Sequence, residues 1–255
     1  MADSNSWSSL PQRWLHVQLP GYRELPEHHT YEGSRLEELP PIPIGLDDDC
    51  EWLMRHGTAY PRGGLNRYER DVQPPNVEKL ALAVHVELPR SFRLFMISAE
   101  LQSRVRSCTD CYLDPGERIV ETIGSIRGHL VHFLSDSQSC AHWYLHVLPS
   151  GDTGVLESPD VYCYQIEHSD WIENPSCRLE RVDLTGLDFA YCAPSFSEFL
   201  YRFWIENEIW FALEDEASRR PLNALELNYV SHYSQEIAIG WSQVLRNAQT
   251  VHMKY

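Results

Sequence analysis

The sequence predicts an α+β fold: a mixed or mostly antiparallel sheet of about six strands, with helices packed mainly on one face. Three observations carry this. A short apolar helix ends in a Leu88-Pro89 turn. Residues 104–181 then break into short runs of strand-favouring residues separated by Asp114-Pro115-Gly116, Gly124 or Gly151. A capped aromatic helix opens at Ser195. Connections this short favour antiparallel neighbours over helical crossovers. Helices segregated from strands along the chain are the mark of an α+β domain.

Residues 1–45 read as a proline-rich N-terminal arm, and residues 46–255 as one domain with a C-terminal helical extension. Prolines 11, 20, 26, 40, 41 and 43 interrupt the arm, and no helical or strand period persists between them. Trp7, Trp14 and Leu15 would be wetted in a free arm, so the arm is expected to wrap onto the body. Residues 46–57 carry a helical stripe of Leu46, Cys50, Leu53 and Met54, with Gly57 as the stop. Asp47, Asp48 and Asp49 suit its N-terminal dipole. Adjacent side chains splay around a helix, so capping explains the three acids better than a shared metal ion.

Asn76 can cap the next helix, in which Val77, Leu80, Ala81 and Val84 recur at helical spacing; Phe92, Phe95 and Met96 then line a second short helix. Strands are expected over 105–113, 119–123, 129–134, 141–148, 154–157, 161–166 and 179–184. In the clearest of them Trp143, Leu145 and Val147 face one way, and His142, Tyr144 and His146 the other. Ser195-x-x-Glu198 is a capping box. It starts a helix whose Phe196, Phe199, Leu200, Phe203 and Trp204 form a wide stripe for the sheet. A further helix is expected from Asn223 to about residue 248.

In their order, the Leu-Pro helix, the strands around Phe133-Leu134 and Trp143-Tyr144-Leu145 with Gly154-Val155, and the helix Ser195-Phe196-Ser197-Glu198-Phe199-Leu200 resemble the SUKH superfamily over roughly residues 77–204. That superfamily includes bacterial toxin-immunity proteins and relatives of a yeast cell-wall regulator. Its usual Asn-Gly-Gly-like turn is replaced here by Ile97-Ser98-Ala99-Glu100. The resemblance implies an intracellular protein that recognises and neutralises a toxin, often a nuclease.

Composition bounds the function. The 255 residues carry a net charge of −16, which argues against direct nucleic-acid binding because that needs a cationic footprint. Between residues 151 and 216 lie fifteen acids against three arginines, a local charge of −12. Such a surface either solubilises the chain or steers a basic partner toward it. No apolar run approaches the roughly 18 residues of a membrane span. The first residues lack a secretory signal, so the chain is expected to be soluble and cytoplasmic.

Seven cysteines without an export signal are expected to stay reduced, several as small buried residues. Cys108-x-x-Cys111 could chelate zinc. The pair offered to complete the site, Cys140 and His142, lies two apart on a strand and seldom converges on one tetrahedral ion, so no metal or other cofactor is expected. Twelve histidines invite catalytic readings. The strongest places Cys140 with a histidine and Asp136 as nucleophile, base and orienter, but Cys140 lacks the local sequence of a reactive thiol.

The expected function is therefore a non-enzymatic protein-binding module, an immunity protein that neutralises a toxin with a basic surface. Asp152, Glu157 and Asp160 are the expected contacts, since a turn and a strand end present side chains to a partner. Two readings stand beside it: a regulatory scaffold, and an enzyme that uses the His/Cys-bearing sheet face.

Overall fold

The computed structural model describes residues 7–23, 25, 29–60, 64–65, 77–162 and 181–233. Among them run β1 (Arg13–His16), β2 (Glu32–Arg35), α1 (Glu51–His56), α2 (Val77–Ala83), α3 (Arg90–Ile97) and α4 (Ala99–Gln102). There follow β3 (Tyr112–Leu113), β4 (Val120–Ile123), β5 (Gly128–Ser135), β6 (His142–Val147), β7 (Thr153–Ser158), β8 (Arg181–Asp183), β9 (Ala190–Ala193) and α5 (Phe196–Leu213). A sixth helix, α6, occupies residues 224–233. The fold is α+β. A seven-stranded mixed sheet runs in the order β8-β4-β5-β6-β7-β9, with β3 pairing the far end of β5, and β1 and β2 form a small antiparallel sheet beside it.

The sheet separates two cores. Trp143, Leu145 and Val147 of β6 join α1, α2, α3 and α5 in the larger one, which also takes Trp14 of the arm. Phe199 stands at its centre, with ring centroids 5.6 Å from Trp14, 5.3 Å from Phe133 and 6.1 Å from Trp143. The alternation expected along β6 holds, but its second face is not wet. Tyr144 packs there with Leu130, Leu156, Tyr162 and Phe189, under a lid of Trp7 and Leu10 from the arm.

α5 begins as the capping pattern requires: Ser195 Oγ accepts the Glu198 N–H at 3.1 Å. The Glu198 carboxylate then turns to Arg202 at 2.9 Å. Fourteen of its eighteen residues are buried, because the sheet takes one side while α1, α3 and the arm take others. α6 starts where the sequence reading began it, just after Asn223, whose Oδ1 accepts from Glu226 N (3.0 Å) while Glu226 Oε2 accepts from Asn223 N (2.8 Å). Its expected continuation to residue 248, the cap at Asn76 and most of the strand expected over 161–166 lie outside the described residues.

Several elements differ from the sequence reading. α1 starts at Glu51, not Leu46, because Cys50 adopts φ 61° and resets the helical phase. Trp52 is therefore fully buried and Met54 is 40% exposed. Asp47 and Asp49 sit in the turn ahead of it and accept the N–H groups of Trp52 and Glu51. Residues 105–110 turn instead of extending: Ser107 Oγ takes the N–H groups of Thr109 and Cys111, competing with a strand ladder. The small strand β9 was not foreseen, and β8 pairs β4 in parallel. Inside the arm, β1 and β2 make a ladder that its scattered prolines conceal.

Candidate functional site

The three expected contact acids do not form one patch. Asp152 lies in the turn before β7 and Asp160 beyond its other end; six strand residues separate them, roughly 20 Å. Asp152 accepts a hydrogen bond from Ser150 Oγ at 2.8 Å. Glu157, between them, points inward and is 1% exposed. Its carboxylate meets Arg13 Nε of the arm at 2.5 Å. Burial pushes its pKa up while Arg13 pulls it down. Glu157 is thus an internal clamp between arm and sheet and is withdrawn as a surface contact. Its position in the strand ladder opposite Ala190, on a strand flanked by both β6 and β9, is the reason.

Asp160 stays at the surface end of β7 and accepts the Tyr162 hydroxyl at 3.2 Å. Asp188, its side chain 66% exposed and its carboxylate 3.9 Å from the Arg13 guanidinium, lies in the loop before β9. Burial, then the charges of Asp160 and Asp188, raise the Tyr162 phenol to about 12. The geometry therefore replaces the expected trio by a pair of acids around one tyrosine. Asp188 belonged to the acidic segment but carried no turn signal of its own.

Not all of the segment's charge reaches solvent. Glu208 is buried against Arg106 at 2.9 Å and Arg220 at 3.5 Å, and Arg106 is sandwiched between the rings of Tyr60 and Phe211, 4.0 and 3.9 Å from their centroids. Glu206 is buried where three segments meet. Both of its oxygens lie 3.0 Å from Trp14 Nε1, and Tyr229 OH donates at 2.8 Å. Burial lifts its pKa to about 7 against the pull of these donors and of Arg23 and Arg202.

The histidine-bearing face holds a four-residue cluster at the β5–β6 hairpin. Ser135 Oγ has one proton and two lone pairs. It donates to Asp114 Oδ2 at 2.9 Å and so accepts from His132 Nε2 (3.0 Å) and His142 Nδ1 (2.8 Å). A serine nucleophile passes its proton to an imidazole; here both imidazoles give theirs to the serine. Ser135 is fully buried, and burial lowers the pKa of both histidines, that of His132 to about 4. The cluster locks the hairpin end. The Cys-His-Asp grouping does not assemble around it: Cys140 is exposed in the hairpin turn, and Asp136 Oδ2 accepts the N–H groups of Gln138 and Cys140.

Cys111 Sγ is buried beside Tyr31 OH and Thr109 Oγ1, each at 3.3 Å. Burial raises the thiols of Cys108 and Cys111, the latter to about 11. Among the described residues, the ligand atoms of Asp47, Asp49 and Glu51 approach within 4.8 Å of one another. Asp47 is already paired with Arg55 at 2.8 Å and both aspartates cap α1, so the capping role accounts for them. No helix among the described residues is long and apolar enough to cross a membrane. No protein-family model, curated protein or solved structure matches the chain.

Proposed function

We propose that this chain is a non-enzymatic protein-binding module, an immunity protein of the SUKH kind that neutralises a toxin domain with a basic surface. The observation that carries the reading is a pair of acids at one end of the sheet, the partly buried Asp160 and the exposed Asp188, whose charges both reach Tyr162. Charges of one sign at the end of a rigid scaffold steer an oppositely charged partner and fix its orientation. The strand and loop that carry them are held by β6, β9 and the Arg13–Glu157 clamp, which keeps them in place before a partner arrives.

The partner to test first is the product of the reading frame beside this one, since immunity proteins are commonly encoded next to their toxins. Purified together, the two should form a complex whose association slows as salt rises. Asp160→Asn with Asp188→Asn should slow association about tenfold. A neighbour that forms no complex would refute the immunity reading; a complex indifferent to both substitutions and salt would refute the acidic surface.

A further inference from the structure

Trp7 sits at the outer end of a short lever. The arm is fastened to the sheet where Tyr191 N donates to Pro11 O at 2.8 Å and Gln12 bridges Tyr191. From there toward Trp7, bonds run inside the arm: Leu10 N and Gln12 Nε2 donate to Trp7 O at 3.0 and 2.8 Å, and Gln12 Nε2 also to Leu10 O at 3.2 Å. Ser8 and Ser9 face solvent, while Trp7 and Leu10 enter the second core.

The surface that receives Trp7 has the parts an indole needs. The ring of Tyr191 lies against it, 5.2 Å between centroids and 26° from parallel. His146 meets it edge-on at 6.1 Å and accepts its N–H on Nδ1 at 2.9 Å. Gly154, the cross-strand partner of His146, is the floor. A Cβ at Gly154 would stand 2.7 Å from the Tyr191 ring and 3.2 Å from the indole, so a side chain there would displace the seated ring.

His146 is fixed as an acceptor. An indole N–H only donates, so Nδ1 carries the lone pair and the ring's proton sits on Nε2. That proton goes to Thr122 Oγ1 at 2.9 Å. Gly128 leaves room for the imidazole, since a Cβ there would come within 2.9 Å of Nε2. His146 is fully buried and neutral through the physiological range, because burial, with His129 adding to it, lowers its pKa to about 3. Without an indole the slot keeps a buried acceptor that demands a donor.

We propose that the second face of the sheet is an indole-recognition site filled by the chain's own Trp7, and that it takes an outside indole, free or as a tryptophan side chain, when the arm lifts. Tethering gives Trp7 a high effective concentration, so the arm competes with any outside ligand. The site uses neither Asp160 nor Asp188 and stands apart from the acidic surface.

The test is calorimetric titration of the full chain carrying Trp7→Ala with indole and with 1-methylindole, which cannot donate. Indole should bind saturably, one per chain, and 1-methylindole about tenfold more weakly. The unsubstituted chain should bind indole more weakly than the variant. A synthetic peptide spanning residues 2–10, titrated into the same variant, separates the sources: its binding assigns the site to a tryptophan side chain, and binding of indole without the peptide assigns it to the free ring. If Trp7→Ala is unfolded, the titration is followed as recovery of near-ultraviolet circular dichroism, and recovery with indole but not with 1-methylindole supports the site. No saturable binding or recovery with indole, or equal effects of the two probes, overturns it.

Discussion

At the residue scale the consequential side chains are polar groups placed where they must be satisfied. Folded Glu206 keeps its proton up to about pH 7, whereas a free glutamate loses it near 4.5. Between those values the fold binds a proton that the unfolded chain has released, so this contribution to stability falls as pH rises through the window. Denaturant unfolding at pH 4.5 and pH 7.5 should show about 3 kcal/mol more loss in the natural chain than in Glu206→Gln, which cannot titrate. Equal loss in the two would show that Glu206 does not change protonation there. Ser135→Ala should cost about 3 kcal/mol, because Asp114, His132 and His142 each lose the hydroxyl that joins them; a loss below about 1 kcal/mol would mean that water replaces it. Little of this was legible in the sequence. Periodicity told which way His142 alternates with its neighbours and put Glu157 at an accessible strand end, but only the pairing of β6 and β7 with strands on both sides put them out of reach of water.

At the element scale the secure features were those with a local physical cause. The cap at Ser195, the stripe of α5 and the alternation of β6 all follow from neighbouring residues and all appear, whereas the helix expected to end at Leu88-Pro89 stops at Ala83 before a left-handed His85. Phe199→Ala should cost about 3–5 kcal/mol, since the ring is buried among Trp14, Phe133, Trp143 and Phe203; thermal or denaturant unfolding measures it. Elements set by distant partners were not legible. β9 holds only four residues, two of them alanine, and is extended because β7 pairs it. β1 lies in a proline-rich arm and finds its partner 16 residues beyond its last residue, at Glu32. The phase of α1 turned on one left-handed residue, Cys50, which no hydrophobic pattern announces.

At the scale of the whole molecule, the N-terminal segment closes both cores. Trp14 enters the helical core, Trp7 covers the other, and Arg13 clamps Glu157 between them. Arg13→Ala should therefore destabilise the fold by about 1–3 kcal/mol, less than for a fully buried pair because Arg13 is half-buried, and should also loosen the arm. Amide hydrogen exchange at residues 7–16 reads the second effect, and unchanged protection there would show that the arm is held without the clamp. Charge tells the same story of composition redistributed by packing. The local charge of −12 was plain in the sequence, but among the described residues Glu157, Glu206 and Glu208 of that segment are buried. Of the expected contacts, Asp160 lies at one end of β7, Asp152 at the other, and Glu157 turns inward.

The proposed role of the acids near Tyr162 is to recruit a basic protein partner. Its most direct measurement is the association rate of the intact chain with the product of the adjacent reading frame, at 50 and 300 mM salt, for the natural sequence and for the Asp160→Asn, Asp188→Asn double variant. The rate should fall steeply with salt in the natural chain, be about tenfold lower in the variant at low salt, and converge between the two at high salt. Rates that are equal for both proteins at both salt concentrations would contradict it.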